Sequence, residues 1–143
     1  MHTTHVIPYI GQAMGGPVSA LAAYARALIE VQCDVTVASI RQPTDGEPID
    51  ICDEARLVQQ NRAIGGMFRY SPEFADTLCR DSADVFHSHG LWTYASIASA
   101  RAAKRKDVPH VIAPCGMLEA GALQRAAWKK RLCRLAFQDR ILR

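Results

Sequence analysis

The sequence lacks several features that define common protein classes. No run of apolar residues approaches the roughly 18 to 20 needed for a membrane-spanning helix, and the first residues lack the basic-then-apolar order of a signal peptide. The five cysteines are widely spaced, with no C-x-x-C pair. Such spacing indicates neither a disulfide framework nor a zinc site. We therefore expect a cytoplasmic protein with reduced thiols.

Two glycine-rich nucleotide motifs are also missing. The sequence contains neither G-x-G-x-x-G, which binds dinucleotides, nor G-x-x-x-x-G-K-[ST], the P-loop. These absences count against a nicotinamide or flavin site and against a P-loop nucleotide hydrolase. We expect no bound cofactor.

The residues that are present predict an α/β fold. The chain has 143 residues, 49% of them hydrophobic, which is enough to bury one ordinary core. Four apolar segments have strand character, at 4–10, 34–40, 84–87 and 110–113. Helical periodicity lies between them, at 17–31, 71–80 and 94–106. This alternation predicts a single Rossmann-like, doubly wound parallel sheet.

The stretch 41–70 interrupts this alternation. It is rich in turn residues and mixed in charge, and it has only weak strand or helix character, at 49–52 and 55–60. We expect a partly mobile surface excursion there.

Glycine-bearing turns follow three of the four predicted strands. In a parallel sheet such turns share the carboxyl edge, where open α/β folds bind ligands, so they predict one cleft. Gly15 and Gly16 lie just before a predicted helix. Glycine lets a ligand approach the backbone, and a helix N-terminus favours phosphate. A tight strand-to-helix turn without a ligand is the alternative interpretation.

The turn after segment 84–87 contains polar and aromatic candidates. We expect His87 and His89 to point in different directions, one into the sheet packing and one into the cleft, and hence not to share a metal ion. His89, followed by Gly90, is the candidate cleft residue, and a structural strand-end histidine is the alternative. Trp92 and Tyr94 supply either an apolar wall of the cleft or ordinary packing.

Cys115 occupies the turn after segment 110–113. Because a helix is predicted to follow, some lowering of the thiol pKa is expected, but a nucleophile also needs a base within reach. A small α/β enzyme that uses Cys115 and His89 would require their side chains within about 3 to 4 Å. No sequence pattern pairs the two residues.

The C-terminal part is predicted to form a basic amphipathic helix over 118–143. Residues 123–143 contain seven basic residues and one acidic residue. The apolar stripe consists of Trp128, Leu132, Leu135 and Leu142, and the basic residues off it are Lys129, Lys130, Arg131 and Arg134. Such a helix suits an anionic membrane surface, on the inner face of the cell membrane. A docked helix with a solvated basic face and a homodimer contact are alternatives; we expect no nucleic-acid partner.

Two stretches, taken together, resemble glycosyltransferase family 4. They are MGGPVSALAAYARALIEVQCDVTVAS and ADVFHSHGLWTYASIASARAAKRKDVPHVIAPCGMLEAGALQRAAWKKRL, which include D-x-x-H-x-H-G-L-W and P-x-G-M-L. The resemblance implies a GT-B fold, in which two Rossmann-like domains face each other across a cleft. It covers only the N-terminal, acceptor-side domain, so we expect 1–143 to be that domain and the donor-binding domain to be absent.

The resemblance also implies roles for individual residues. Gly15 and Gly16 match the loop that reaches toward the donor diphosphate, and His89 and Gly90 match a cleft-facing turn. Cys115 and Gly116 fall where many members have P-H-G, whose histidine contacts the transferring sugar. A thiol cannot replace the hydrogen bonding of that imidazole.

The implied function is the acceptor-side lobe of a retaining glycosyltransferase. The complete enzyme would transfer a sugar from a nucleoside-diphosphate sugar to a hydroxyl acceptor in cell-surface polysaccharide synthesis. We expect the isolated chain to be inactive and to need a donor-binding lobe or a partner chain. A non-enzymatic Rossmann-like module that binds a sugar or nucleotide, or one half of a split enzyme, is the alternative.

Overall fold

The computed structural model describes residues 1–11, 14–46, 49–125 and 127–135, except for the side chain of Lys129. In these ranges it shows one parallel sheet of five strands in the order β3-β2-β1-β4-β5. The strands are β1 (His2–Ile7), β2 (Asp34–Ile40), β3 (Arg56–Gln60), β4 (Val85–His89) and β5 (His110–Ala113). Chain order reverses direction at the central strand β1, which is the doubly wound pattern. The predicted fold class is confirmed.

Five α-helices accompany the sheet in the described ranges. They are α1 (Gly16–Glu30), α2 (Pro72–Arg80), α3 (Tyr94–Lys106), α4 (Ala120–Gln124) and α5 (Ala127–Cys133). Proline lies in the first turn of both α1 and α2, where the missing N–H costs no hydrogen bond. The three helices predicted from periodicity are confirmed to within one residue at each end.

Alternate residues of the central strands pack on opposite faces of the sheet. Ile7 and Val37 point toward α1, whereas Val6, Ala38 and Phe86 point toward α2 and α3. Helix α3 buries Ala95, Ala98 and Ala102, whose small side chains permit close approach to the sheet. The two apolar layers hold the carboxyl ends of β1, β4 and β5 in fixed relation.

The stretch 41–70 differs from the predicted excursion. It contains β3, which pairs with β2 from Thr36–Arg56 to Ile40–Gln60 and forms one edge of the sheet. Its sequence, RLVQQ, gave little strand signal because an edge strand is paired on one side only and buries few side chains. Arg69 also ties the stretch to the sheet through the Ile40 carbonyl of β2, as described below.

The predicted continuous helix over 118–143 is also corrected. Its described part consists of two short helices, α4 and α5, and Arg125 between them has an extended backbone. Leu142 lies outside the described residues. In the part of the chain that the structure describes, no helix is long and apolar enough to cross a membrane.

Candidate functional site

The turns after β4 and β5 pack against each other at the carboxyl edge of the sheet. The Gly90 amide donates to the Ala113 carbonyl over 2.8 Å, and the Leu91 amide contacts the Met117 sulfur at 3.0 Å. A Cβ added at Gly90, where φ is +93°, would lie 3.1 Å from Met117 Cε. Gly90 is therefore needed for packing between the two turns.

The loop before α1 is open by comparison. A Cβ at Gly15 or Gly16 would meet nothing within 4 Å, and Gly15 has a φ of +55°. The amides of Val18 and Ser19 donate back to the Gly15 carbonyl. The first turn of α1 has no acidic side chain. An anion can thus approach this backbone closely, next to the positive end of a fifteen-residue helix.

Two non-glycine residues of the carboxyl-edge turns have left-handed backbones. Trp92 has a φ of +63° and Cys115 a φ of +52°. Each such conformation costs on the order of 1 kcal/mol, and such costs concentrate at functional sites. Gln32, Arg69 and Asp107 also have positive φ, but each lies within two residues of the end of a helix or 3-10 turn, where that conformation is common. The left-handed backbones of Trp92 and Cys115 therefore make the turns after β4 and β5 a candidate ligand-facing region.

The thiol of Cys115 is not activated. Burial raises its pKa, and its Sγ donates to the Ala113 carbonyl over 3.3 Å. Among the described residues no histidine is hydrogen-bonded to this sulfur, and Nε2 of His89 instead pairs with His5. The lowering of the thiol pKa that was expected from the following helix is wrong. The structure does not support an enzyme in which Cys115 and His89 act together.

His87 and His89 lie together, contrary to prediction. Their ring centroids are 4.3 Å apart, and the ring of His5 lies 5.0 Å from His87 and 5.3 Å from His89. Residues two apart on a strand point to the same face, so the expectation of different directions was wrong. His5 joins them because it stands opposite His87 in the β1–β4 register.

The three imidazoles are held neutral. Burial, with help from the neighbouring His87, lowers the pKa of His5 from 6.5 to about 4. The same two causes, with a contribution from His5, lower the pKa of His89 to about 3. Burial also lowers the pKa of His87. His89 is only 2% exposed, and its Nε2 pairs with Nδ1 of His5 within the cluster. Sequence reasoning missed His5, although its spacing from His87 in a parallel register is a usable signal.

A buried ion pair braces the neighbouring edge of the site. Arg69 reaches Asp45 at 2.5 and 2.6 Å, donates to the Ile40 carbonyl at 2.9 Å and lies 4.2 Å from the centroid of the Tyr9 ring. The hydrogen bonds from Arg69 hold the pKa of Asp45 below its usual range. The contacts of Arg69 with the Ile40 carbonyl and the Tyr9 ring attach the stretch 41–70 to the ends of β1 and β2. The sequence did not indicate it, because the partners are 24 residues apart.

The basic segment leaves apolar side chains in solvent. Trp128 is 64% exposed, and Leu132 and Leu135 are also exposed, on or next to α5. Lys130 donates to the Ala122 carbonyl of α4. Gly116, with a φ of +74°, turns the chain from β5 toward these helices. A depression of about 770 Å³ lies at the opposite, amino edge of the sheet, beside His2 and Asp34.

Comparisons with known proteins gave a family and a solved structure that are similar to this chain. A family model described as a glycosyl transferase 4-like domain matches residues 15–143. No curated protein matches the sequence. A UGT transferase from Siraitia grosvenorii, solved in complex with UDP, is similar to this chain with 17% identity and a TM-score of 0.46. The match covers 78% of this chain, which spans 27% of that structure's length.

Proposed function

Since this chain belongs to the glycosyl transferase 4-like domain family, we propose that it is the acceptor-side lobe of a retaining glycosyltransferase. In the complete enzyme a sugar passes from a nucleoside-diphosphate sugar to a hydroxyl acceptor, in the synthesis of a cell-surface polysaccharide. The observation that carries this proposal is the family match, which begins at Gly15, in the open loop before α1. The lobe corresponds to the N-terminal half of a GT-B fold.

In this proposal the loop of Gly15 and Gly16 faces the donor diphosphate. Both glycines border open space, so an oxygen can reach the backbone at hydrogen-bond distance. The positive end of α1 stabilises negative charge that develops on the leaving diphosphate. This contribution is purely electrostatic and needs no side chain.

The acceptor binds across the turns after β4 and β5. His89, Gly90, Trp92, Cys115 and Gly116 form or support this surface in the proposal. His89 is buried next to Gly90 in sequence and positions the turn after β4. The left-handed backbones of Trp92 and Cys115 orient the two turns toward the acceptor. Cys115 offers a neutral thiol, which hydrogen-bonds a sugar hydroxyl weakly.

Membrane attachment forms part of the same proposal. Trp128, Leu132 and Leu135 are exposed alongside Arg131, which is the composition that lets an amphipathic segment rest on anionic lipid. We expect the chain to sediment with vesicles that contain phosphatidylglycerol and not with neutral vesicles. Sedimentation that is equal for both, or dimerisation through the same face, would contradict membrane attachment.

The donor-loop assignment can be tested by ligand binding. We expect UDP-sugars or GDP-sugars to bind weakly, since one loop alone contacts the diphosphate, and no sugar to be transferred without a second lobe. Gly16→Val should abolish binding, because its side chain fills the open space. Gly121→Val is the matched control, since Gly121 also borders open space in a helix.

Three outcomes separate the alternatives. Binding that Gly16→Val removes and Gly121→Val keeps supports the diphosphate loop. Tight nucleotide or sugar binding without transfer, even after a donor lobe is supplied, would favour a non-enzymatic binding module. Binding that survives Gly16→Val would place the diphosphate elsewhere and refute the assignment.

A further inference from the structure

Three histidine side chains converge on the α1 face of the sheet. His5 comes from the middle of β1, and His87 and His89 come from β4, next to it. One ligand nitrogen from each ring can be chosen so that all three lie within 4.8 Å of one another. Nδ1 of His5 and Nε2 of His89 are 3.0 Å apart. Among the described residues, these three histidines are the group whose possible ligand atoms lie close enough together to bind one metal ion.

The separations fit a small coordination sphere. Zinc binds imidazole nitrogen at about 2.0 to 2.1 Å, and catalytic or exchangeable sites use three protein ligands and leave one position open. Ligand nitrogens around such an ion are about 3.3 Å apart in a tetrahedral arrangement. The nitrogens of His5 and His89 are already near that separation. Side-chain rotations that move the ligand nitrogen of His87 by about an ångström would bring it into the same coordination sphere.

We propose that His5, His87 and His89 bind one divalent transition-metal ion of the zinc type, with the fourth position open to water. The site does not rest on the proposed glycosyl transfer and could be occupied whether or not the chain contacts a sugar. Occupancy would tie the central strand β1 to β4 just below the turn that begins at Gly90.

The protonation state favours this chemistry. Metal ions bind the neutral imidazole, and burial lowers the pKa of all three rings, which favours that form. In the metal-free pair, the hydrogen bond between His5 and His89 places one proton between their facing nitrogens. On binding, that proton moves to the other nitrogen of the same ring. Each imidazole then keeps one N–H, and no net proton is released.

His87 is the most exposed of the three histidines. His87 is partly exposed, and Val111, its partner across the β4–β5 register, is 47% exposed on the same sheet face. Tyr24 of α1 is 50% exposed and lies 5.7 Å from the His87 ring, measured between centroids. Since His5 and His89 are buried, a hydrated ion would approach the cluster from the partly exposed His87.

Titration of the untagged chain with Zn²⁺ and with Co²⁺ tests the proposal. We expect one ion per chain and, for Co²⁺, visible d–d bands without a thiolate charge-transfer band in the near ultraviolet. At a zinc concentration about one hundred times the Kd, the unfolding temperature should rise by roughly 9 °C. His87→Ala should lose the bands and at least tenfold in affinity. His110→Ala is the matched control, since His110 points to the opposite sheet face and bonds Ser88.

Several results would overturn the site. They are no binding at millimolar Zn²⁺, unchanged binding in His87→Ala, loss of binding in His110→Ala alone, or a thiolate band that indicates cysteine ligands. If His87→Ala does not fold, the wild-type chain still decides the question through X-ray absorption at the zinc edge. Three imidazole ligands support the site, and sulfur or oxygen-only ligation contradicts it.

Discussion

Mild acid should destabilise the metal-free protein through the buried histidines. In the unfolded chain each histidine titrates near pKa 6.5, whereas in the folded protein the pKa of His5 is about 4 and that of His89 about 3. A lowered pKa in the folded state means that the unfolded state takes up protons first. The stabilisation is therefore present above pH 6.5 and is lost as the pH falls toward 4 and below.

The size of this effect follows from the two pKa values. At pH 5 each of the two histidines favours the unfolded state by about 2 kcal/mol, so together they remove about 4 kcal/mol of the free energy of unfolding. That loss is large against a typical total of about 5 to 15 kcal/mol. His110, whose pKa burial lowers to about 4, acts in the same direction.

Urea denaturation at pH 7 and at pH 5, in the presence of EDTA, measures this loss. His89→Leu should reduce the difference between the two pH values by about 2 kcal/mol, because it removes one of the titrating groups. A free energy of unfolding that is the same at pH 7 and pH 5 would refute the neutral, buried state of the cluster. So would a full pH dependence in the His89→Leu variant.

Three further outcomes are expected. Gly90→Ala should lower the free energy of unfolding in urea by about 1 to 2 kcal/mol, since its backbone is left-handed and Met117 fills the space; stability equal to wild type would contradict this packing. Arg69→Met should cost about 1.5 to 3 kcal/mol in the same assay, because the Asp45 carboxylate keeps the hydrogen bond from the Gln42 amide but loses its charged partner, and the double variant Arg69→Met/Asp45→Asn should recover part of it; no recovery would contradict the pairing. Iodoacetamide should modify Cys115 at pH 7 more slowly than a free thiol, as judged by mass spectrometry of the cleaved peptides, and fast modification would contradict a raised thiol pKa.

Local sequence patterns predicted most of the fold. Helix α3 and strand β2 matched the sequence prediction at both ends, since their apolar periodicity agrees with the faces they bury. Strand β3 was only weakly indicated, as strand or helix at 55–60, because its side chains are mostly part-exposed and show no alternation. The prediction of one long C-terminal helix was wrong, because the basic amphipathic pattern in the sequence continues across the break at Arg125.

The candidate site was less accessible to sequence reasoning. Glycine turns indicated the carboxyl edge, but the contact between Gly90 and Met117 depends on how two turns meet in space. The histidine cluster depends on strand register, which places His5 opposite His87 although they are 82 residues apart in sequence. The Arg69–Asp45 pair likewise depends on the fold, which brings together two residues that are 24 positions apart in sequence. Long-range geometry, and not residue type, decided each of these features.

A residue-resolved chemical-shift map of the chain, titrated with UDP-sugars and GDP-sugars, tests the proposed donor loop most directly. We predict saturable shifts at Gly15 and Gly16, extending to Trp92 and Cys115 across the carboxyl edge. Shifts confined to the amino-edge depression around Asp34, or no shifts with any nucleoside-diphosphate sugar, would contradict the proposal that this lobe faces the donor of a glycosyl transfer.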